Sequence, residues 1–150
     1  FQRCCALAKA LAFNNGLGSC FLSNGDPSVE RRLSGLGFQS ESMNGIERGG
    51  RSDLLHTLAI SDRCRCEGVV VDSYHVNAEY LLRLRAAGLF VVAIDDLGRF
   101  PFPCQLVVSP GAHARNLSYR SSSGDTRFLL GPAYAMLRPE FWSLPRRRRR

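Results

Sequence analysis

The segment VVVDSYHVNAEYLLRLRAAGLFVVAIDD, Val69 to Asp96, constrains the fold more than any other part of the chain. Val69-Val70-Val71 is continuously apolar rather than alternating, the pattern of a strand covered on both faces. Asn77 is a good helix cap, and Glu79 follows in the first turn, where a negative charge is favourable. Val76, Tyr80, Leu84 and Ala87 share one side of the predicted helix. Glu79 and Arg83 form an i,i+4 pair on the other. Gly88 stops the helix, and Leu89 to Ile94 is a second buried strand. A strand-helix-strand unit of this kind implies a parallel sheet with a right-handed crossover. It also places acids and a tyrosine at the ends of two strands.

The rest of the chain extends that unit. Cys4, Leu7, Ala8, Leu11 and Ala12 recur at helical spacing, and Asn14-Asn15-Gly16 ends the helix. SCFLS, Ser19 to Ser23, reads as a short strand. Asn24 to Arg51 is rich in Gly and Ser and supports at most a short helix around Val29 to Leu33. Ser52-Asp53 caps a predicted helix through Ile60, with Leu54, Leu55, Leu58 and Ala59 inward. Gln105 to Ser109 and Arg127 to Leu130 are further strands, separated by loops containing Pro101, Pro103, Pro110 and Gly111. The expected fold is α/β, a Rossmann-like open parallel sheet. It spans 1–141, with a basic tail at 142–150. The helical character of the first residues leads us to expect that the first strand of such a sheet is missing ahead of Phe1.

Composition narrows the function. The 150 residues suffice for one domain with a core. The formal charge is +7, but the terminal run Arg146 to Arg150 supplies five of those charges and leaves the body near +2. That body is not that of a nucleic-acid binder; a basic pentamer can attract nucleic acid or an acidic membrane, and it can equally be an unstructured end without function, the reading we favour. Six cysteines, at 4, 5, 20, 64, 66 and 104, match neither a two-spacer redox pair nor a repeated zinc pair. They read as small core hydrophobes, which suits a reducing cytoplasm. Three scattered histidines suggest no metal cluster, and no stretch reaches the length of a membrane span. We expect no cofactor and no metal. The chain has no dinucleotide fingerprint, P-loop or nucleophile elbow.

In open parallel sheets, ligands sit beyond the carboxyl ends of the strands. Asp72, Tyr74, Asp95, Asp96 and Ser109 fall near such ends and are candidates for one crevice. Asp72 and Asp95 suit either hydroxyl binding and base chemistry or the capping of loops by accepting backbone hydrogens. Tyr74, between a strand and a helix cap, is the better candidate for a ligand contact.

Several motifs resemble the nucleotide-sugar hydrolases of the pseudaminic acid pathway, whose architecture is similar to that of MurG-type glycosyltransferases with two Rossmann-like domains. FQRCCALAKAL followed by SCFLS matches the later part of a G-H-x-x-R-C-L-x-L-A segment, with Arg3 on the family arginine. Asp72 and Tyr74 match a D-x-Y pattern, Ile94-Asp95-Asp96-Leu97 an I-D-D-L pattern, and LLGPAYAMLRPEF, Leu129 to Phe141, a long specific segment. In VVSPGAHARNLSY, Ser109, Pro110 and Gly111 depart from the family's polar pattern, and Asn116 and Tyr119 are the nearest matches.

The resemblance implies the amino-terminal half of a two-domain GT-B fold. It implies release of UDP and free sugar from a UDP-linked diacetamido-trideoxyhexose, by water attack at the anomeric carbon. Arg3, Asp72, Tyr74, Asp95 and Asp96 would be substrate-binding residues. The family's histidine base would precede Phe1, so no catalytic residue is assigned here. The partners implied are the UDP-linked amino sugar and a second, carboxyl-terminal domain in cis. The 150 residues alone are then expected to be inactive and marginally stable. Two other readings stand beside this one: a GT-B glycosyltransferase with a hydroxyl acceptor in place of water, and a non-catalytic sugar-binding or interaction module.

Overall fold

A computed structural model describes residues 1–142. Residues 143–150, and with them the arginine run, lie outside the described residues. Helices and parallel strands alternate as far as the fourth strand, and two more strands follow without an intervening α-helix: α1 (Gln2–Asn15), β1 (Cys20–Ser23), α2 (Pro27–Gly35), β2 (Gln39–Ser42), α3 (Arg51–Arg63), β3 (Gly68–Val71), α4 (Ala78–Ala86), β4 (Phe90–Ile94), β5 (Leu106–Ser109) and β6 (Arg127–Leu130). Short 3-10 turns at Ala114–Asn116, Pro132–Tyr134 and Pro139–Phe141 complete it. The fold is α/β with parallel sheets and interspersed helices, consistent with a Rossmann-like arrangement.

The strands form two sheets, not one. β1 pairs with β2, and β3-β4-β5-β6 form a second sheet in that order, every pairing parallel. The expected strand-helix-strand unit is present: Val69 pairs with Val91 and Val71 with Ala93, and α4 connects the two strands. Asn77 caps α4 through its side-chain oxygen, which accepts from the Tyr80 N–H at 2.9 Å. Tyr80, Leu81 and Leu84 bury one face of α4 against Leu89, Val91, Phe102 and Val107. This cluster is the main core, and its apolar area is the principal stabilising term. Leu81, overlooked in the sequence, is fully buried, whereas Ala87, expected to face the sheet, is the exposed C-cap.

Several expectations need correction. β3 is not covered on both sides. Val70 is 38 % exposed, because β3 is the edge of its sheet and the Val70 side chain opens onto a cleft. The zone from Asn24 to Arg51 is more regular than its composition suggests. Asp26 caps α2, accepting from the Ser28 N–H at 2.8 Å, and Gln39–Ser42 is a strand. That strand was invisible because QSES has no apolar alternation; its pairing with β1 makes it a strand. In α3 the cap is Gly50, not Ser52-Asp53. The buried positions are Asp53, Thr57, Ile60 and Ser61, while Leu55 and Ala59 are exposed and Leu54 and Leu58 are half-buried. In α1 the buried residues are Cys5, Ala6 and Ala8, and Ala12 is exposed. Trp142, assigned to the tail, meets Phe13 of α1 in a tilted ring pair with centroids 6.0 Å apart.

Candidate functional site

The first turn of α1 points at the carboxyl ends of β3 and β4. Asp72 follows β3 directly, and Asp96 lies two residues beyond the end of β4. Arg3 joins them. Its Nε donates to Asp72 Oδ2 at 2.9 Å and its Nη2 to Asp72 Oδ1 at 2.6 Å, a two-pronged grip. Its Nη1 donates to Asp96 Oδ2 at 2.8 Å. The Cys4 thiol also donates to Asp72 Oδ2, at 3.2 Å. The Tyr74 hydroxyl donates to Asp96 Oδ2 at 2.9 Å, and the Tyr74 carbonyl accepts from Arg99 at 2.7 Å. Arg3, Asp72, Tyr74 and Asp96, drawn from three separated stretches of chain, thus form one connected network.

Electrostatics follow from this geometry. Burial pushes the Asp72 carboxyl up, but hydrogen bonds from Arg3 and Cys4, with the Arg3 charge, outweigh it and hold the group below the ordinary carboxylate range. The hydrogen bond to Asp72 holds the Arg3 guanidinium above its ordinary value, against the cost of burial. Burial, with the nearby Asp72 charge, pushes the Cys4 thiol up to about 12. The Tyr74 phenol is raised by its hydrogen bond to Asp96. An ion-paired Asp72 is a poor general base. It is an anchored acceptor, with Arg3 and Cys4 donating to its oxygens. Tyr74 stands out from the network with 55 % of its surface exposed.

Asp95 is placed differently. Its Oδ1 accepts from the Leu97 N–H at 2.9 Å, the Gly98 N–H at 2.6 Å and the Tyr119 hydroxyl at 2.9 Å. That is the loop-capping arrangement, and it turns the chain after β4. Burial, helped by the hydrogen bond to Asp95, pushes the Tyr119 phenol up to about 12. Ser109 is fully buried at the end of β5, and its hydroxyl has no hydrogen-bond partner among the described residues. Gly131 meets Ser109 only through the backbone, at 2.8 Å. The segment after Gly131 turns back toward α1, against which Pro139–Phe141 packs.

A cleft of about 540 Å³ opens beside the network, between β1 and β3, with Asp72, Tyr74 and His75 on its rim. Its floor holds a buried polar triad that sequence reading missed. The Tyr80 hydroxyl donates to Asp53 Oδ1 at 2.6 Å and lies 2.9 Å from the Thr57 hydroxyl. Asp53 Oδ2 accepts from the Gly49 N–H at 2.7 Å. Burial and Asp53 together raise the Tyr80 phenol. The signal was present in part: Asp53, Thr57 and Ser61 stand at i, i+4 and i+8, one helix face. Arg99, the other omission, sits just after the Asp-Asp-Leu-Gly turn.

Among the described residues no group of three or more histidine, cysteine or acidic side chains is placed to hold a metal ion, and no helix is long and apolar enough to cross a membrane. Compared with known proteins, the chain matches no family model and no curated sequence.

Proposed function

We propose that this chain is the sugar-facing half of a nucleotide-sugar hydrolase with GT-B architecture, acting on a UDP-linked diacetamido-trideoxyhexose in the cytoplasm. The observation that carries the reading is the convergence of motif positions. Arg3, the Asp72–Tyr74 pair and Asp96 come from three separate short matches to that family, and they meet in one hydrogen-bonded network. Structural capping alone explains Asp95, but it does not explain why the carboxyl groups of two of these motifs share the guanidinium of the third.

The chemistry of the network suits a sugar better than a diphosphate. Two carboxyl groups against one guanidinium leave an excess of acceptors. Acceptors recognise hydroxyl and acetamido hydrogens, whereas a diphosphate needs donors and positive charge. The diphosphate would therefore be held by the second domain, and the proton of the attacking water would be taken by a group outside these residues. Arg3, Asp72 and Asp96 hold the acceptor surface in shape, and Tyr74 presents its ring and hydroxyl to the sugar.

The test uses the polypeptide carrying this half together with its second domain. UDP release from a UDP-linked diacetamido sugar is followed with water as the only acceptor. Turnover in water supports the hydrolase; turnover only on addition of a hydroxyl acceptor identifies a glycosyltransferase instead. Sugar binding without UDP release under either condition points to a binding module and overturns the proposal.

A further inference from the structure

The six cysteines are not all core filler: Cys64 is exposed, and Cys20 and Cys66 are half-buried. Strand register shows which way Cys20 faces. In a parallel pair, residues in register point to the same face, and so do those two positions further on. Cys20 is in register with Gln39 and Leu22 with Glu41, so Cys20 and Glu41 share a face. On that face Glu41 is ion-paired with Arg63, in the last turn of α3. Cys64 is the next residue, the C-cap of that helix. Register and ion pair thus bring Cys64 beside Cys20. The Cys20 thiol is accordingly pushed up to about 11, by burial first and then by the neighbouring Cys64 sulfur.

Cys66 is turned away from this pair. Arg65, between the two cysteines, is the one non-glycine residue with positive φ, 52, among the described residues. The turn it makes returns the chain toward α3, where the Cys66 N–H donates to the Ser61 carbonyl at 2.8 Å. The Cys66 side chain packs against the main core, while Cys64 stays outside.

We propose that Cys64 and Cys20 form a thiol–disulfide exchange site, which takes a low-molecular-weight disulfide such as oxidised glutathione and closes into a Cys20–Cys64 disulfide. The exposed Cys64 thiol loses its proton to solvent, and its sulfur attacks one sulfur of the small disulfide. The small S–S bond breaks, one thiolate leaves and takes up a proton, and Cys64 carries the other half as a mixed disulfide. Cys20 then gives up its proton and attacks the Cys64 sulfur, and the second small thiol leaves with that proton. Two protein thiols are oxidised, and one small disulfide is reduced to two thiols. Cys20 opens β1 and Cys64 lies just ahead of β3, so the bond clips the two sheets together at the amino ends of these strands. Asp72 and Asp96 stand beyond carboxyl ends, so the thiol site is separate from the Arg3 network and independent of the sugar-site reading. In a reducing compartment such a bond forms transiently, as a response to oxidation.

The experiment incubates the fully reduced full chain with oxidised glutathione in native buffer. The remaining thiols are then alkylated in urea, and the cysteine peptides are mapped by mass spectrometry. The expected product is a Cys20–Cys64 linkage, at least about tenfold more abundant than any other pairing, because access and proximity both select it. Cys20→Ser should halt the reaction at a mixed disulfide on Cys64, and Cys64→Ser should abolish both products. A dominant Cys64–Cys66 linkage overturns the proposal. So does glutathione retained on Cys64 of the unsubstituted chain with no protein disulfide, and so does the recovery of all six thiols alkylated. Equal yields of the Cys20–Cys64 linkage when the oxidation itself is run in urea would show that the fold does not bring the pair together, and would overturn it as well.

Discussion

Arg3 and Asp72, 69 positions apart, are held together by two parallel hydrogen bonds of 2.9 and 2.6 Å. The pair fastens the start of α1 to the end of β3, and the third arm of Arg3 reaches Asp96 beyond β4. Both side chains are largely shielded, with 26 % and 17 % of their surfaces exposed. Removing the guanidinium leaves two carboxyl groups without their main partner. Arg3→Ala is expected to destabilise the chain by about 2 kcal/mol in urea unfolding, the cost of stranding partly buried charged acceptors. Arg3→Lys keeps the charge but loses the fork, and is expected to recover only about half of that. Equal stability of all three proteins would show that the clasp contributes nothing.

The depressed Asp72 carboxyl makes stability depend on pH. Its folded value lies below its unfolded value, so the unfolded chain binds the proton more readily. The stabilisation from ionised Asp72 is therefore complete above the ordinary aspartate value of about 3.9, and is lost as pH falls through the folded value. Urea midpoints of wild type and Asp72→Asn between pH 6 and pH 2.5 test this. The wild-type curve is expected to fall more steeply in acid than that of Asp72→Asn. Parallel curves would remove Asp72 from the acid response.

Tyr80 supplies a second buried anchor. Its hydroxyl meets both Asp53 and Thr57 where α3 and α4 adjoin, and the residue is only 6 % exposed. Tyr80→Phe keeps the ring and leaves Asp53 Oδ1 with only the longer bond from the Thr57 hydroxyl, at 3.2 Å. The expected loss is about 1–3 kcal/mol of unfolding free energy. In the double variant Tyr80→Phe with Asp53→Leu, the under-satisfied acceptor is gone, and part of that loss should return. A double variant weaker than either single one would mean that Asp53 matters mainly through the Gly49 N–H.

Tyr74 is where the sugar-site reading is most exposed to test. Its hydroxyl is anchored to Asp96 at 2.9 Å while its ring stands in solvent. If it contacts the sugar, Tyr74→Phe in the two-domain enzyme should lower kcat/KM by about tenfold to a few hundredfold, the effect of an unmet polar partner worth roughly 1–3 kcal/mol. Stability should change little, because the side chain is exposed. Unchanged kcat/KM in a normally folded enzyme would leave only ring packing.

The fold was legible where periodicity and capping agreed. The elements of the unit from β3 to β4 could be read, including the Asn77 cap, because its strands are apolar and its helix amphipathic, although Leu81 and Ala87 were misplaced and β3 is open on one side. β2 could not be read, since QSES carries no hydrophobic signal and exists as a strand through its pairing with β1. The buried face of α3 was misassigned for a related reason: Asp53, Thr57 and Ser61 look like a solvated stripe, and only the Tyr80 hydroxyl and backbone partners reveal that they are inside. At the site, position beyond a strand was enough to nominate Asp72, Tyr74 and Asp96. It could not distinguish them from Asp95, whose partners are the backbone of its own turn. Arg3 was nominated by a resemblance and not by spacing, and its place as the common partner of Asp72 and Asp96 was not read at all, because nothing local in a helix start specifies contacts 69 and 93 residues away.

The lip of the cleft depends on a glycine. Gly49 has φ +70, and a Cβ added there would lie 2.0 Å from the His75 carbonyl oxygen and 2.6 Å from its carbon. Backbone therefore touches backbone where the loop before α3 crosses the loop after β3. The Gly49 N–H is also the donor to Asp53. Gly37 has a similar φ, +79, but a Cβ added there would meet nothing within 4 Å. The two glycines separate conformational strain from collision. Gly37→Ala is expected to cost about 1–2 kcal/mol, the penalty of a side chain in the left-handed region. Gly49→Ala adds a clash that only movement of the loop away from His75 can relieve, weakening the hydrogen bond to Asp53 as it moves. Its expected cost exceeds that of Gly37→Ala by at least about 1 kcal/mol, with faster amide exchange at 49–53 and 73–76 and no change around 35–39. Equal costs for the two alanines would mean that the loops do not meet in solution, and that the cleft is wider at its rim than the contact between Gly49 and His75 requires.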